Sequence, residues 1–207
     1  MNGSKTVCVL DYGSGNVASV RNLIEALGVD VTVSNAPDAI RDASHLVLPG
    51  VGAFGAAMRK IGERLPLAEI EREVLERGKP FLGICVGMQV LATRGLEFGE
   101  QPGLGWIAGT VRQLNAPGLR LPHIGWNDVS WRQAGGLGAG LEDASDFYFL
   151  HSYAIYPDDP STIAASASYG EEFCAVMRRG NIAGVQFHPE KSQQAGKALL
   201  RNFLALS

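Results

Sequence analysis

The sequence predicts an α/β fold with a mostly parallel central sheet in the first half of the chain and a strand-rich second half. Up to residue 85, short apolar runs alternate with segments of helical spacing, and strands that alternate with helices form parallel sheets with right-handed crossovers. From Trp106 onward, strand-like runs and turns replace that alternation. Because 207 residues are within the range of one domain, we expect a single domain over residues 1–207.

The first half alternates regularly between strands and helices. Between Asn16 and Leu27, for example, apolar residues recur every three or four positions, which is the spacing of one helix face. The predicted elements of this half are, in order, a strand at Thr6–Asp11, a helix at Asn16–Leu27, strands at Val31–Ser34 and His45–Pro49, helices at Ala53–Arg64 and Leu67–Arg77, and a strand at Phe81–Ile84.

The second half consists of predicted strands and turns up to a closing helix. Its elements are strands at Ile107–Leu114, Asp128–Trp131, Phe147–Tyr156, Thr162–Tyr169, Cys174–Arg178 and Ile182–Phe187, followed by a helix at Gln193–Leu206. No repeat, low-complexity tract or linker interrupts the sequence, which is consistent with one domain.

Composition and charge are ordinary for a compact enzyme and argue against nucleic acid and membrane as partners. The net charge of −3 and the pI near 5.8 disfavour a general affinity for nucleic acid. No apolar run approaches the roughly 18 residues of a membrane span, and Met1–Lys5 leads into a strand without a signal-peptide core. Three cysteines without a CxxC pair fit a reducing cytoplasm, and we expect Cys8 and Cys174 in the core.

The segment Pro80–Gln89, PFLGICVGMQ, has the pattern of a nucleophile at a sharp turn from strand to helix. Such a turn is crowded, so side chains at Gly83 and Gly87 are expected to clash with the backbone. The turn would set the Cys85 sulfur at a helix N-terminus, where the dipole and unpaired N–H groups favour a thiolate. In a chain with 26 glycines, this segment alone does not exclude a buried core cysteine.

A candidate base and its orienting acid lie near the end of the chain, in GVQFHPE at residues 184–190. Residues two apart in an extended chain point the same way, so His188 and Glu190 project to one side while Pro189 stiffens the link. A cysteine nucleophile needs a base, and the base needs a carboxylate that fixes its tautomer. Taken singly, His188 could be a core histidine and Glu190 a solvated cap, but with Cys85 they form a predicted catalytic triad.

These motifs resemble the class I (triad) glutamine amidotransferases, and the resemblance covers essentially the whole chain. Within that family the set is similar to the glutaminase subunits of imidazole glycerol phosphate synthase, an enzyme of histidine biosynthesis. GxCxG and FHPE are shared across the family, whereas PGVGAFG together with HIGWN is the more specific signal. The further motifs are LDYGSGN at Leu10–Asn16, PGVGAFG at Pro49–Gly55, HIGWN at His123–Asn127, YFLHSY at Tyr148–Tyr153 and GVQFHPEKS at Gly184–Ser192.

The resemblance implies a flavodoxin-like, three-layer fold and hydrolysis of glutamine to glutamate and ammonia. Cys85 would attack the side-chain amide carbon, and His188 would protonate the departing nitrogen. His188 would then activate the water that hydrolyses the glutamyl thioester. Glu190 would hold the imidazole and stabilise its cation.

The reaction also needs donors for a tetrahedral oxyanion and groups that hold the substrate. The N–H of Val86, the first after the nucleophile, is one candidate donor. The second is expected from PGVG at residues 49–52, at Val51 or Gly52, because the glycines let the Val51 peptide adopt either orientation. The resemblance implies a glutamine pocket lined by Gln89, Glu97, His151, Ser152 and Tyr153, with Glu97 facing the α-ammonium group.

The product ammonia requires an acceptor, because in water it is protonated and loses its nucleophilicity. The sequence shows no phosphate loop of its own, which favours a partner protein. The resemblance implies a cyclase subunit with a (β/α)₈ barrel, joined in a heterodimer. That subunit would use ammonia and a phosphorylated ribulosyl-aminoimidazole nucleotide to make imidazole glycerol phosphate and aminoimidazole carboxamide ribotide. Asn16, Trp126 and Lys191 are candidate residues of the interface or channel, although Trp126 also fits a core position.

Neither a cofactor nor a metal is expected. GSGNVA at residues 13–18 nearly fits the dinucleotide fingerprint, but Ser34 and Asn35 stand where that fingerprint needs an acid. The four histidines show neither HxxxH nor HExxH spacing.

Three alternatives remain open from the sequence. The first is a glutaminase subunit of another synthase, of the anthranilate or aminodeoxychorismate type, which PGVGAFG and HIGWN disfavour. The second is a non-catalytic assembly subunit, which an intact triad disfavours. The third is a cysteine peptidase or hydrolase, which peptide hydrolysis without glutamine hydrolysis would support.

Overall fold

A sheet of nine strands and a smaller sheet of four organise the residues that the structure describes. The structure is a computed structural model that describes residues 5–132, 135–141 and 145–206. Its strands are β1 (Thr6–Val9), β2 (Asp30–Val33), β3 (His45–Gly50), β4 (Phe81–Cys85), β5 (Ala92–Gly95), β6 (Gln101–Pro102), β7 (Ile107–Gln113), β8 (His123–Trp131), β9 (Ser145–His151), β10 (Tyr153–Pro157), β11 (Ile163–Tyr169), β12 (Glu171–Arg179) and β13 (Ile182–Val185). Its α-helices are α1 (Val17–Glu25), α2 (Pro37–Asp42), α3 (Phe54–Arg64), α4 (Leu67–Glu71), α5 (Val86–Gln89) and α6 (Gln193–Leu204), and α4 continues as a π-helical turn at Arg72–Glu76.

The large sheet combines a parallel part with an antiparallel part. Its strand order is β2-β1-β3-β4-β13-β12-β11-β8-β9. The strands from β2 to β13 in that order pair in parallel, and every later neighbour pairs antiparallel. The smaller sheet has the order β10-β7-β5-β6. The chain therefore leaves the parallel part after β4 and returns to it only with β13.

β4 and β13 are neighbours in the middle of the large sheet. Gly83 pairs with Gly184 and Ile84 with Val185, and both strands are buried throughout. Because parallel strands end at the same edge of a sheet, their carboxyl ends lie together, which is where α/β folds bind ligands. Cys85 is the last residue of β4, and His188 follows shortly after β13. The topology thus brings the predicted nucleophile and base to one edge.

The apolar sequence of the central strands explains their burial. β3, HLVLPG, is buried at every position, as expected of a parallel strand covered on both faces. Cys8 and Cys174 are buried in the core, which confirms the prediction for both. Burial raises the pKa of Cys8 to about 11 and that of Cys174 to about 12, so both are neutral thiols at pH 7.

The α/β class and the inserted strand-rich half are confirmed. Several predicted element ends differ from the structure by one to three residues, and two predicted strands differ more. The run Phe147–Tyr156 forms two strands that separate at Ser152 and belong to different sheets. β8 begins at His123 and not at Asp128. Its start is hidden in the sequence because its outward residues Ile124 and Trp126 are themselves apolar, so the polar–apolar alternation of a half-buried strand is missing.

The remaining differences are short elements. The helix after Cys85 has only four residues, and β5 and β6 lie where the sequence predicts no strand. The sequence analysis did not predict α2, which has six residues and Pro37 in its first turn. Proline is common at the start of a helix, but a six-residue segment is too short to show helical periodicity. Within the described ranges, no helix is both long and apolar enough to cross a bilayer.

Candidate active site

Cys85 sits at a strained turn between β4 and α5. Its φ is +55° and its ψ −112°, a backbone conformation that is uncommon for any residue with a side chain. Because α5 starts with the next residue, Cys85 caps the helix and its sulfur lies at the helix N-terminus. The predicted nucleophile turn is therefore present in the structure.

Three glycines make this turn possible because backbone atoms occupy the space of a side chain. A Cβ atom at Gly83 would overlap the carbonyl oxygen of Gly87, and one at Gly87 would overlap the carbonyl oxygen of Leu48. A Cβ at Gly50 would lie 2.5 Å from the backbone nitrogen of Gly87. The predicted clashes at Gly83 and Gly87 are confirmed.

His188 and Glu190 lie together beside this turn. His188 Nδ1 is 2.9 Å from Glu190 Oε1, and both side chains are almost fully buried. A 3₁₀ turn at Pro189–Lys191 follows His188. Ser192 fixes the segment, since its hydroxyl donates to the His188 carbonyl at 2.7 Å and accepts the N–H of Tyr148 at 3.0 Å.

The charges of this pair stabilise one another. Burial by itself lowers the pKa of His188, but its interactions with Cys85 and Glu190 outweigh burial and raise that pKa to about 10. Burial by itself raises the pKa of Glu190, but hydrogen bonds from His188 and Asn16 hold it below its ordinary value. At neutral pH the pair is therefore an imidazolium and a carboxylate. Because Glu190 engages Nδ1, the interaction with Cys85 falls to Nε2, which has no other partner within the described ranges.

A cavity of about 500 Å³ opens above Cys85 and His188, a volume suited to a small molecule. It brings together all the residues predicted for the oxyanion and the substrate, and three more that the sequence analysis missed: Phe98, Gln113 and Leu150. The predicted residues in its lining are Val51, Gly52, Val86, Gln89, Glu97, His151, Ser152 and Tyr153. Phe98 is 88% exposed at φ +56°, and no sequence pattern distinguishes such a residue from an ordinary loop aromatic.

Glu97 is anchored before any substrate binds. Its Oε2 accepts the N–H of Phe54, the first residue of α3, at 2.7 Å. A carboxylate at a helix N-terminus is stabilised by the unpaired N–H groups there. The side chain is therefore held in place with one oxygen engaged and Oε1 left to face the cavity.

Gln89 is nearly fully buried, and its hydrogen bonds leave only one end free. Its Nε2 donates to the carbonyl of Tyr153 at 2.8 Å and to Oε1 of Gln186 at 3.0 Å. Both amide protons are thus used within the protein. Only Oε1 of Gln89 can contact a ligand, and it can do so only as an acceptor.

His151 belongs to a hydrogen-bonded chain whose direction is determined. Its Nδ1 lies 2.9 Å from the Tyr153 carbonyl, which can only accept, so Nδ1 carries the proton. His151 Nε2 then accepts from Nδ1 of His123 at 3.1 Å, and His123 Nε2 accepts from Asn127 at 3.4 Å. Burial lowers the pKa of His123 to about 4 and that of His151 to about 3. Both rings are neutral, and both ring nitrogens of His151 have protein partners, Nδ1 the Tyr153 carbonyl and Nε2 the ring of His123.

The residues predicted to donate to the oxyanion line the same cavity as Cys85. Val86 is the first residue of α5, so its N–H lacks an intrahelical acceptor. Val51 and Gly52 follow β3 and line the same cavity, and Gly52 has a φ of +95° that favours glycine.

The three residues predicted for the interface occupy two places. Trp126 is 47% exposed and contacts Tyr148 edge-on at 6.0 Å, and Lys191 Nζ lies 5.2 Å above the same Tyr148 ring. Together with Ile124, which is 59% exposed, they form an exposed aromatic cluster. Asn16 is instead half-buried, and its Nδ2 donates to Oε1 of Glu190 at 3.2 Å. No group of histidine, cysteine, aspartate and glutamate side chains in the described part of the chain could hold a metal ion.

Comparison with known proteins agrees with this geometry. The family model of class I glutamine amidotransferases matches residues 8–206. The chain therefore belongs to the class I glutamine amidotransferase family, and it is an enzyme that acts on glutamine. The resemblance predicted from the motifs is confirmed.

Several near full-length relatives carry a more specific name, imidazole glycerol phosphate synthase subunit HisH. The Caulobacter vibrioides protein of that name is 44% identical over an alignment of 208 positions, which covers 97% of this chain and 98% of the relative. The Zymomonas mobilis protein is 46% identical, with 97% and 96% covered. The Aquifex aeolicus protein is 45% identical, with 94% of each covered.

Solved structures show the same fold at low identity. A crystal structure of a glutamine amidotransferase superposes with a TM-score of 0.74 at 23% identity, over 98% of this chain and 97% of that chain. PurLQS from Thermotoga maritima gives a TM-score of 0.76 at 20% identity, over 98% of both chains. These likenesses concern the fold alone.

Proposed function

We propose that this chain is the glutaminase subunit of an imidazole glycerol phosphate synthase and acts in histidine biosynthesis. The relatives of that name, at 44–46% identity over nearly the whole length, support the assignment. The observation that carries the chemistry is the buried His188–Glu190 pair, at 2.9 Å, whose imidazole lines the same cavity as Cys85. The family match over residues 8–206 supports a single amidotransferase domain over residues 1–207.

In this proposal Cys85 is the nucleophile. Its sulfur attacks the side-chain amide carbon of glutamine, and the imidazolium of His188 protonates the nitrogen as the C–N bond breaks. Formation of the thioester removes the negative charge from sulfur, so His188 becomes a base for the attacking water. Glu190 holds the ring through Nδ1 in both steps and directs Nε2 at the reacting atoms.

The oxyanion and the amino-acid end of the substrate have separate partners. The N–H groups of Val86 and of Val51 or Gly52 receive the oxyanion, and one such donor contributes about 3–4 kcal/mol to transition-state stabilisation. Glu97 Oε1 pairs with the α-ammonium group. Gln89 contributes its Oε1, while Ser152 and Tyr153 form the wall that His151 holds in place.

The partner in this proposal is the cyclase subunit, which receives ammonia in a heterodimer. Aromatic side chains that are exposed to solvent in the isolated chain are typical of protein interfaces. The cluster of Ile124, Trp126, Tyr148 and Lys191 lies on β8, β9 and the turn after His188. It adjoins the triad, because Lys191 follows Glu190 and the Tyr148 carbonyl accepts the backbone N–H of His188 at 2.9 Å. We place the protein in the cytoplasm, where its three free cysteines stay reduced.

Two experiments test this function. The gene should restore growth to a histidine auxotroph that lacks this subunit, and not to a tryptophan or folate auxotroph. In the purified complex, Cys85→Ala should abolish synthesis with glutamine while synthesis from an ammonium salt continues. Rescue of the tryptophan auxotroph would support an anthranilate-type synthase instead, and survival of the glutamine-dependent rate would exclude Cys85 as the nucleophile.

A further inference from the structure

Gln186 is a fully buried polar side chain that lies against the catalytic sulfur. It follows β13 directly and has 0% exposure. A polar group at this depth needs partners, and both ends of its amide have one. Oε1 accepts from Gln89 Nε2 at 3.0 Å, and Nε2 lies 3.8 Å from Cys85 Sγ, within the range of a hydrogen bond to sulfur.

The orientation of this amide follows from its neighbours. The Gln89 atom 2.8 Å from the Tyr153 carbonyl must be a donor, because that carbonyl can only accept, so this atom is the amide nitrogen Nε2. The Gln186 atom that meets this nitrogen must then be the oxygen. The nitrogen of Gln186 is therefore directed at the sulfur. The Tyr153 carbonyl determines this orientation, because it fixes the amide of Gln89, which in turn fixes the amide of Gln186.

Besides His188, which interacts with Cys85, two protein groups at the sulfur distinguish between its charge states. The Leu150 carbonyl lies 3.9 Å from Sγ and can accept a hydrogen bond only from the neutral thiol. The N–H of Gln186 is a donor, and a donor interacts more strongly with an anion than with a thiol. Gln186 does not line the cavity above Cys85. It therefore reaches the sulfur from the protein interior, opposite the substrate.

We propose that Gln186 is a catalytic residue whose side-chain N–H stabilises the sulfur anion of Cys85. The proposal rests on the proposed function, because it takes Cys85 as the nucleophile. In acylation the N–H supports the thiolate before attack. In deacylation water oxygen bonds to the thioester carbon, a water proton passes to His188, and the C–S electron pair returns to the sulfur. The same N–H then stabilises the departing thiolate.

Gln186→Met tests this role, because methionine is similar in volume and lacks the donor. We expect the rate constant for alkylation of Cys85 by iodoacetamide at pH 6 to fall about threefold. Loss of a hydrogen bond to an anion lowers the thiolate fraction about tenfold, and the remaining thiolate is more nucleophilic, which offsets part of the loss. In the complex with the cyclase, kcat for glutamine hydrolysis should fall about tenfold with KM nearly unchanged. Gln194→Met, at an exposed position of α6, should alter neither quantity.

The proposal is overturned if Gln186→Met keeps wild-type alkylation and wild-type kcat. If methionine is not accommodated, Gln186→Leu provides a smaller apolar replacement. In the wild-type chain labelled with ¹⁵N-glutamine, the Gln186 side-chain N–H signal should move downfield as Cys85 ionises, and a signal that does not move also contradicts the role. Cys85→Ala is measured in parallel. Glutamine hydrolysis by that variant would contradict the proposed nucleophile, whereas a silent Gln186→Met would contradict only this inference.

Discussion

Asn16 and Glu190 are separated by 174 positions in the sequence and are hydrogen-bonded at 3.2 Å. The oxygen of Glu190 that accepts from Asn16 is Oε1, the same atom that accepts from His188. Asn16 precedes α1, so a residue from the start of the chain holds the acid of the triad in place. The contact gives Asn16 a position in the catalytic site, in addition to the interface role predicted from the motifs.

Replacing Asn16 should therefore lower catalysis without unfolding the protein. We expect Asn16→Ala to reduce kcat for glutamine hydrolysis about tenfold, because a hydrogen bond to a charged group contributes about 1.5 kcal/mol or more. KM should change little, since Asn16 does not line the cavity. Asn22→Ala, at an exposed position of the same helix, is the matched control. Equal kcat values for the two variants would contradict the positioning role.

Replacing the base of the proposed triad should lower glutaminase activity more than replacing its acid. His188→Asn should be nearly as damaging as Cys85→Ala, because residues that act as one unit are not additive. Glu190→Gln should leave slow turnover, since Ser192 still holds the His188 backbone. Glutamate release in the presence of the partner measures both. A Glu190→Gln enzyme as active as the wild type would mean that another group orients the imidazole.

Glycines at the nucleophile turn and on the surface should respond in opposite directions to the same substitution. Gly87→Ala places a methyl group on the Leu48 carbonyl and should lower the free energy of unfolding by about 3 kcal/mol or more. Gly62→Ala lies in α3 with nothing near its Cβ and should raise that free energy by about 0.5–1 kcal/mol. Urea denaturation measures both values. A well-tolerated Gly87→Ala would show that the turn has room to relax.

Acid should destabilise the protein partly through His123. Its pKa falls from an ordinary 6.5 to about 4 in the folded protein because of burial. Between these values the unfolded chain binds more protons, so stability is fully present above pH 6.5 and decreases as pH falls toward 4. We expect the stability of the wild type relative to His123→Phe to decrease by up to about 3 kcal/mol over that window. Denaturation of both proteins at pH 7, 5.5 and 4 tests this, and a constant difference would contradict it.

The isolated chain should be a poor glutaminase that its partner activates. Glycines at 50 and 52 flank Val51, so its peptide can turn at a small cost, and docking can bring an oxyanion donor into place. A donor of about 3–4 kcal/mol corresponds to roughly two to three powers of ten in rate. Glutamate release by the chain alone, with partner, and with partner and nucleotide measures the effect. Equal rates in all three would refute activation and leave the triad unaffected.

The sequence was sufficient to predict the residues whose chemistry is local. The turn could be predicted from Gly83, Cys85 and Gly87, which lie within five positions of the chain. The pairing of His188 with Glu190 could be predicted because the two residues are only two positions apart. The parallel sheet was predictable from alternating periodicity, since its central strands are uniformly apolar. The cavity residues other than Phe98, Gln113 and Leu150 could also be anticipated, through motifs shared with a family.

The features of the site that could not be predicted depend on contacts between segments that are far apart in the sequence. Nothing local to Gln186 shows that its amide faces Cys85, since that contact needs β13 beside β4. The engagement of His151 by His123 and Tyr153 likewise depends on the pairing of β8 with β9 and on the turn into β10. β5 was missed because its residues ATRG include two exposed polar positions and no apolar alternation.

The position of β13 between β4 and β12 also has a consequence for biosynthesis on the ribosome. The gap at the centre of the sheet stays open until residues 182–185 have emerged, and until then β4 and β12 both have unpaired edges. His188 and Glu190 emerge only after that strand. A nascent or prematurely terminated chain therefore has a cysteine but neither base nor acid, and it cannot consume glutamine. Completion of the sheet and assembly of the proposed triad therefore both depend on the segment at residues 182–190.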